Sequence, residues 1–172
     1  ETGEAQLIVD GRAHPMPPGS LSITRPWQLH SMGNPHLSAG RLHWIILDLG
    51  VRRPDQDWSW PEWCLLPPAE QDELSRLLRG SEQPVWRASA ELSALFRRLS
   101  HYAAAPKPEA HAARLRIAVN HLLVSLLDLL RAQNLLPDPA LSAPRRATEL
   151  FLRELGEHPG SAGQPWTLDR MA

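Results

Sequence analysis

Between residues 115 and 129 the chain places Leu115, Val119, Leu122, Leu126 and Leu129 at steps of four, three, four and three. Apolar side chains at that spacing share one face of an α-helix and form a heptad seam. Leu123, Leu127 and Leu130 widen the stripe. A strand, whose side chains alternate with a period of two, gives such spacing no common face. The pattern therefore predicts a long helix over residues 109–134, ended by Pro137 and Pro139. A stripe this wide needs cover. Packing inside the domain is the commoner use of it; the alternative, which we expect here, is a homodimer with Leu115, Val119, Leu122, Leu126 and Leu129 as its dimerisation residues.

Two shorter helical patterns precede the seam. From Pro68 to Arg79 the apolar positions are Leu74, Leu77 and Leu78, with Glu70, Asp72 and Glu73 early and Arg76 and Arg79 late. That charge order complements the helix dipole, and Gly80 is a stop signal. A second helix is expected over residues 85–102, with Leu92, Leu95, Phe96 and Leu99 inward, and a break over 103–108.

Upstream of about residue 67 the punctuation is that of strands. Asp10-Gly11 separates two short strand-like runs and is a strong hairpin signal, because a type I′ turn needs positive φ at both central residues. Pro17-Pro18-Gly19 marks a second turn, and Leu21-Ser22-Ile23-Thr24 alternates like a strand with one wet face. Residues 42–49 form an apolar run that predicts a strand buried on both faces. Short strands at close spacing suggest a sandwich or barrel. Seven of the ten aromatic residues are Trp, and Trp58, Trp60 and Trp63 crowd one loop before Cys64.

Composition narrows the classes. The 172 residues are 42% hydrophobic and 22% charged, with net charge −1, a globular profile rather than a disordered one. Near-neutral charge gives no basic footprint of nucleic-acid binding within this stretch. No apolar run reaches 18 residues, so no membrane span is expected, and no signal peptide is visible. A single cysteine, Cys64, fits a reducing, cytoplasmic setting and a packed thiol rather than a nucleophile. No Gly-rich phosphate loop is present, nor a recognisable Ser/His/Asp or Cys/His grouping. Both ends have the look of a longer protein cut short, since the chain enters directly into strand-like sequence and stops within an incipient helix.

Two stretches carry a family resemblance. Glu4 and Gly11 stand at the spacing that closes the first cupin motif, and Gly19, His30 and Asn34 at spacings of the second. Pro26 falls one place late, and Trp27 occupies the inner glycine position. This segment resembles a cupin barrel. Metal-binding cupins use several His and a Glu; only Glu4 and His30 occupy such places here, so no metal or other cofactor is expected and His30 becomes a pocket histidine. Trp27, His30, His14 and Trp44 are the candidate effector-binding residues, indole faces being suited to stack on a sugar or flat ring.

Farther on, Ser142 opens a fourth helical pattern with Pro144 just inside it, and Thr167 N-caps a last one. The run Thr167-Leu168-Asp169-Arg170-Met171-Ala172, preceded by Arg145 to Leu152, resembles the opening of the AraC-type helix-turn-helix domain. The expected architecture is α+β: residues 1–66 a cupin-like effector-binding barrel, 67–134 a helical dimerisation segment, 135–141 a linker and 142–172 the start of the DNA-binding domain. The resemblance implies a ligand-responsive bacterial regulator with a small-molecule effector, DNA as its target, and Thr167 and Arg170 at the phosphate backbone. The competing class is a metal-dependent cupin enzyme, an isomerase or dioxygenase. A purely structural dimerisation module is a third, which leaves the β half without a purpose.

Overall fold

The computed structural model describes residues 5–33, 38–53, 56–133 and 152. Glu4, Asn34, the expected linker, the expected fourth helix apart from Leu152, and the DNA-contacting candidates Thr167 and Arg170 lie outside the described residues. The chain is mixed α+β, with five short strands followed and interleaved by three helices.

Strand β1 (Ala5–Val9) pairs antiparallel with β2 (Arg12–Met16) on one side and with β4 (His30–Met32) on the other. The hairpin turns as its sequence dictates: Asp10 has φ 49° and Gly11 φ 79°, both in the left-handed region that a type I′ turn demands. Leu7, Val9 and Met16 close a small core beneath this sheet. Strand β3 (Ser20–Ser22) belongs to a different sheet, paired antiparallel with β5 (Val85–Arg87).

Among the described residues the strands form these two open sheets and no closed barrel. The reason lies partly in residues 42–49, expected as a doubly buried strand. They join neither sheet; Leu42, Trp44 and Ile46 are exposed, and of the run only Leu49 is buried.

Helix α1 (Pro68–Gly80) follows the sequence pattern, with Pro68 at its first turn and Leu74, Leu77 and Leu78 buried. Helix α2 (Ala90–Ala103) starts five residues later than expected. Ser89 caps it, its hydroxyl accepting from Leu92 N at 3.0 Å, and Val85 to Arg87 upstream serve as the partner strand of β3 instead. Helix α3 (Ala112–Ala132) is entered through a single 3₁₀ turn, Pro108–His111.

The leucine stripe of α3 joins the two helical clusters of the core. Leu123, Leu127 and Leu130 pack with Leu74, Leu77 and Leu78 of α1 and with Trp86 and Cys64. Ala118 and Leu122 pack with Leu92, Leu95 and Leu99 of α2 and with Leu21. Val119, Leu126 and Leu129 touch both clusters, and Leu115 touches the second. The five residues expected to wait for a partner helix therefore point into the space between α1 and α2. Leu122 is 9% exposed and the other four are half-buried. At its C-terminal end α3 is tied to α1 by Arg131, whose guanidinium reaches Glu73 at 2.6 and 3.1 Å and Glu70 at 3.4 Å. That pairing holds the Glu73 carboxyl below its ordinary range.

The tryptophan-rich loop is pinned to this core rather than projected from it. Trp58 and Trp60 pack on the α1–α3 cluster, and Trp60 Nε1 donates to Ser75 Oγ at 3.0 Å. Buried Asn120, in mid-α3, accepts from Leu65 N at 2.6 Å and donates from Nδ2 to Trp63 O and Arg116 O. Cys64 is buried and free, the packed thiol that its apolar flanks indicated.

Candidate functional site

Two turns of matching design flank β3. In residues 17–20, Pro18 is second, Gly19 is third with φ 81°, and Ser20 N donates to Pro17 O. In residues 25–28, Pro26 is second, Trp27 is third with φ 61°, and Gln28 N donates to Arg25 O. Proline second with positive φ third is the layout of a type II turn, where glycine is the ordinary occupant of the third place. Trp27 thus holds a left-handed backbone at a cost of about 1–2 kcal/mol, its indole 57% exposed. It also stands where the cupin motif has its inner glycine.

The second turn is held by charge. Arg25 Nη1 donates to Arg79 O at 2.7 Å and to Leu78 O at 3.4 Å, so its guanidinium caps the last carbonyls of α1, where the helix dipole favours a cation. Gln28 Oε1 accepts from both the backbone N–H and the Nε–H of Arg25, while Gln28 Nε2 reaches Asp10 Oδ2 at 3.4 Å. The carbonyl of Gln28 receives His30 Nδ1 at 2.7 Å. Since a carbonyl only accepts, His30 carries a proton on Nδ1, which leaves Nε2 of the neutral ring as an acceptor.

Behind this turn lies a small cleft lined by Arg25, Gln28, Ser81, Gln83 and Trp86 among others, with about 10 Å³ of space, enough for one water-sized group. Trp86 is 4% exposed, and its indole N–H makes no hydrogen bond among the described residues. A buried donor without a partner is costly in an otherwise satisfied fold and marks where an acceptor is wanted. Next to it, Ser81 Oγ and the Gln83 backbone bond each other, and Gln83 Nε2 donates to Val85 O. With those donors engaged, Trp86 Nε1 is the donor left over, and it suits an acceptor oxygen of a hydroxyl, carbonyl or carboxylate.

The four effector-binding candidates are distributed unevenly around this cleft. Trp27 and His30 stand close to Gln28 in sequence, but neither lines the cleft. His14 sits on β2 opposite Leu7, and His30 on β4 opposite Val9, so both project from the same face of the sheet. Two strand spacings and two residues of rise separate them by about 12 Å, too far to share one small group. Trp44 is 74% exposed, on the irregular run 42–49. Among the described residues no group of three or more His, Cys, Asp or Glu is placed to hold a metal ion.

Arg25, Gln28 and Trp86 are absent from the sequence-based list. The repeated Pro-x turn layout was a visible sign for the first two. For Trp86 the sign was Ser89, a better helix start than Val85, with Pro84 biasing Gln83 before it toward extended backbone.

Comparison with protein-family models, with curated proteins and with solved structures yields no match. Function must be argued from the residues.

Proposed function

We propose that this chain is the sensing part of a homodimeric, ligand-responsive transcription regulator, without catalytic activity of its own. A small-molecule effector is bound in the β half and DNA is bound by the C-terminal segment. The observation that carries the reading is the run Thr167-Leu168-Asp169-Arg170-Met171-Ala172, standing after a strand-rich half with cupin spacings and a leucine-rich helix. The left-handed backbone of Trp27, at the place that the motif spacing gives to glycine, supports the cupin resemblance.

The route from effector to helices is physical. An acceptor oxygen that satisfies Trp86 enters a cleft whose other wall is Arg25, and Arg25 caps α1. Strain or relief at that cap passes to α3 through Arg131 and the shared leucine core. In sequence, α3 leads on to residues 134–172. Such a relay works only if the effector binds two arrangements with different affinity. No helix among the described residues is long and apolar enough to cross a membrane.

The reading frame beyond Ala172 tests this reading. The expected result is a second helix of a helix-turn-helix, with a glycine at the turn and basic residues on the recognition helix. A stop codon, or a continuation lacking such helices, overturns it.

A further inference from the structure

The cleft behind the second turn offers a ligand a narrow chemistry. Its floor is formed by buried residues, among them Leu78, Ser81 and Trp86, while Arg25 and Gln28 are half-buried and Gln83 is exposed. The indole N–H of Trp86 is unpartnered among the described residues. Arg25 is the one charged side chain on the described lining. Asp10 engages the Gln28 amide, Oδ2 accepting from Nε2 at 3.4 Å, but does not line the cleft. Two acceptors of the lining are already occupied. Gln28 Oε1 takes two N–H groups of Arg25, and Ser81 Oγ is bonded to both the N–H and the C=O of Gln83.

We infer that the cleft takes the carboxylate of a small organic acid, one oxygen entering it to accept from Trp86 Nε1 in the field of the Arg25 guanidinium. Space decides how much enters. About 10 Å³ admits one water-sized group, so a single oxygen goes in and the rest of the acid stays at the mouth. Charge and hydrogen count decide which oxygen. A water or a hydroxyl brings an O–H that needs an acceptor of its own, whereas a carboxylate only accepts. A neutral carbonyl also only accepts, but it gains little from Arg25, and a hydrogen bond to a charged oxygen is roughly twice as strong as one to a neutral oxygen. The guanidinium is partly engaged, since Nη1 donates to Leu78 O and Arg79 O at the negative end of α1. The affinity is therefore modest, with Kd on the order of millimolar for an acid as small as acetate. The inference names the class of effector for the proposed regulator and rests on that reading for the ligand's regulatory role, whereas binding of the acid does not depend on it.

Acetate titrated into the isotope-labelled 172-residue chain, with chloride holding the ionic strength constant and acetamide as the neutral comparison, tests the site by nuclear magnetic resonance. Of the seven indole N–H resonances, sequentially assigned, that of Trp86 should move downfield and saturate with acetate at a Kd on the order of millimolar. Acetamide should bind at least about tenfold more weakly. Arg25→Gln should weaken acetate by a similar factor, and Arg25→Lys, which keeps the charge, should retain most of the affinity. The two ligands are compared in the unaltered chain, so the result stands even where Arg25→Gln fails to fold. Equal shifts with acetate and acetamide, or an unchanged acetate affinity in folded Arg25→Gln, overturn the carboxylate assignment. A Trp86 resonance moved by neither ligand overturns the cleft as a ligand site, whereas the regulator reading falls only with the reading frame beyond Ala172.

Discussion

Residues 42–46 and residues 122–130 are both rich in large aliphatic side chains, yet the structure treats them oppositely. Leu127 and Leu130 are 1% and 0% exposed, while Trp44 and Ile46 are 74% and 79% exposed. The helical stripe meets two other helices whose own leucines repeat at the same period, so every ridge finds a groove. The run 42–47 exposes Trp44, Ile45 and Ile46 in succession, without the two-residue period of a sheet, and among the described residues it joins neither sheet. Burial follows from matched periodicity between neighbours, and hydrophobicity alone does not supply it.

The largest effect expected from this contrast is at Leu127. Leu127→Ala removes a side chain from the junction of α1 and α3 and costs about 3–4 kcal/mol in urea unfolding. The same truncation at Ile46 changes monomer stability by less than about 0.5 kcal/mol. Equal losses at the two sites would show that the run 42–49 is packed after all.

Asn120 comes next, because it joins the two regions. Its amide holds Trp63 O and Leu65 N of the loop that follows the exposed run. Asn120→Ala leaves the Leu65 N–H and the Trp63 carbonyl without this partner and costs about 1–2 kcal/mol. A loss under about 0.5 kcal/mol would mean that the loop is anchored elsewhere.

Trp27 sharpens the comparison in the opposite direction. Trp27→Asn puts a residue that tolerates φ near 61° in the strained place and raises the thermal midpoint, by about 1 kcal/mol of stability. If the indole is part of the effector site, the same variant binds effector more weakly while melting higher. A lower midpoint would show that the indole's contacts outweigh the backbone strain.

The smallest effect is a pH dependence within the exposed run's own flank. Arg52 and the Gly50 N–H hold the Asp48 carboxyl at about 2, below its ordinary 3.8. A carboxyl with a depressed folded pKa contributes stability that is complete above the unfolded value and is lost as pH falls from 3.8 toward 2. Asp48 is fully exposed, so the contribution is slight. Asp48→Asn should flatten the stability profile in that window; an unchanged profile would assign the acid sensitivity to other carboxylates such as Glu73.

Much of the fold was legible because local chemistry and global packing agree. Asp10-Gly11 dictated its turn, and Pro68 and Gly80 bracket α1 as helix signals do. The failures share a cause. Val85-Trp86-Arg87 is a strand only because Ser20 to Ser22, some 65 residues earlier, comes to lie beside it, and no local window contains that partner. The destination of the heptad seam was ambiguous for the same reason: a stripe states that it needs cover and says nothing about whose. Of the candidate site, Trp27 and His30 stand beside Gln28 in sequence, but neither lines the cleft. Trp86 and Arg25 depended on that long-range pairing and on the end of α1, so their role became visible only in three dimensions.

Hydrogen exchange of the 172-residue chain, followed by mass spectrometry, tests most directly whether the two apolar regions differ as described. Amides of residues 42 and 44–47 should exchange rapidly, while those of residues 118–130 stay protected. Strong protection of residues 42 and 44–47 would show that the run is paired within its own chain and would contradict the account.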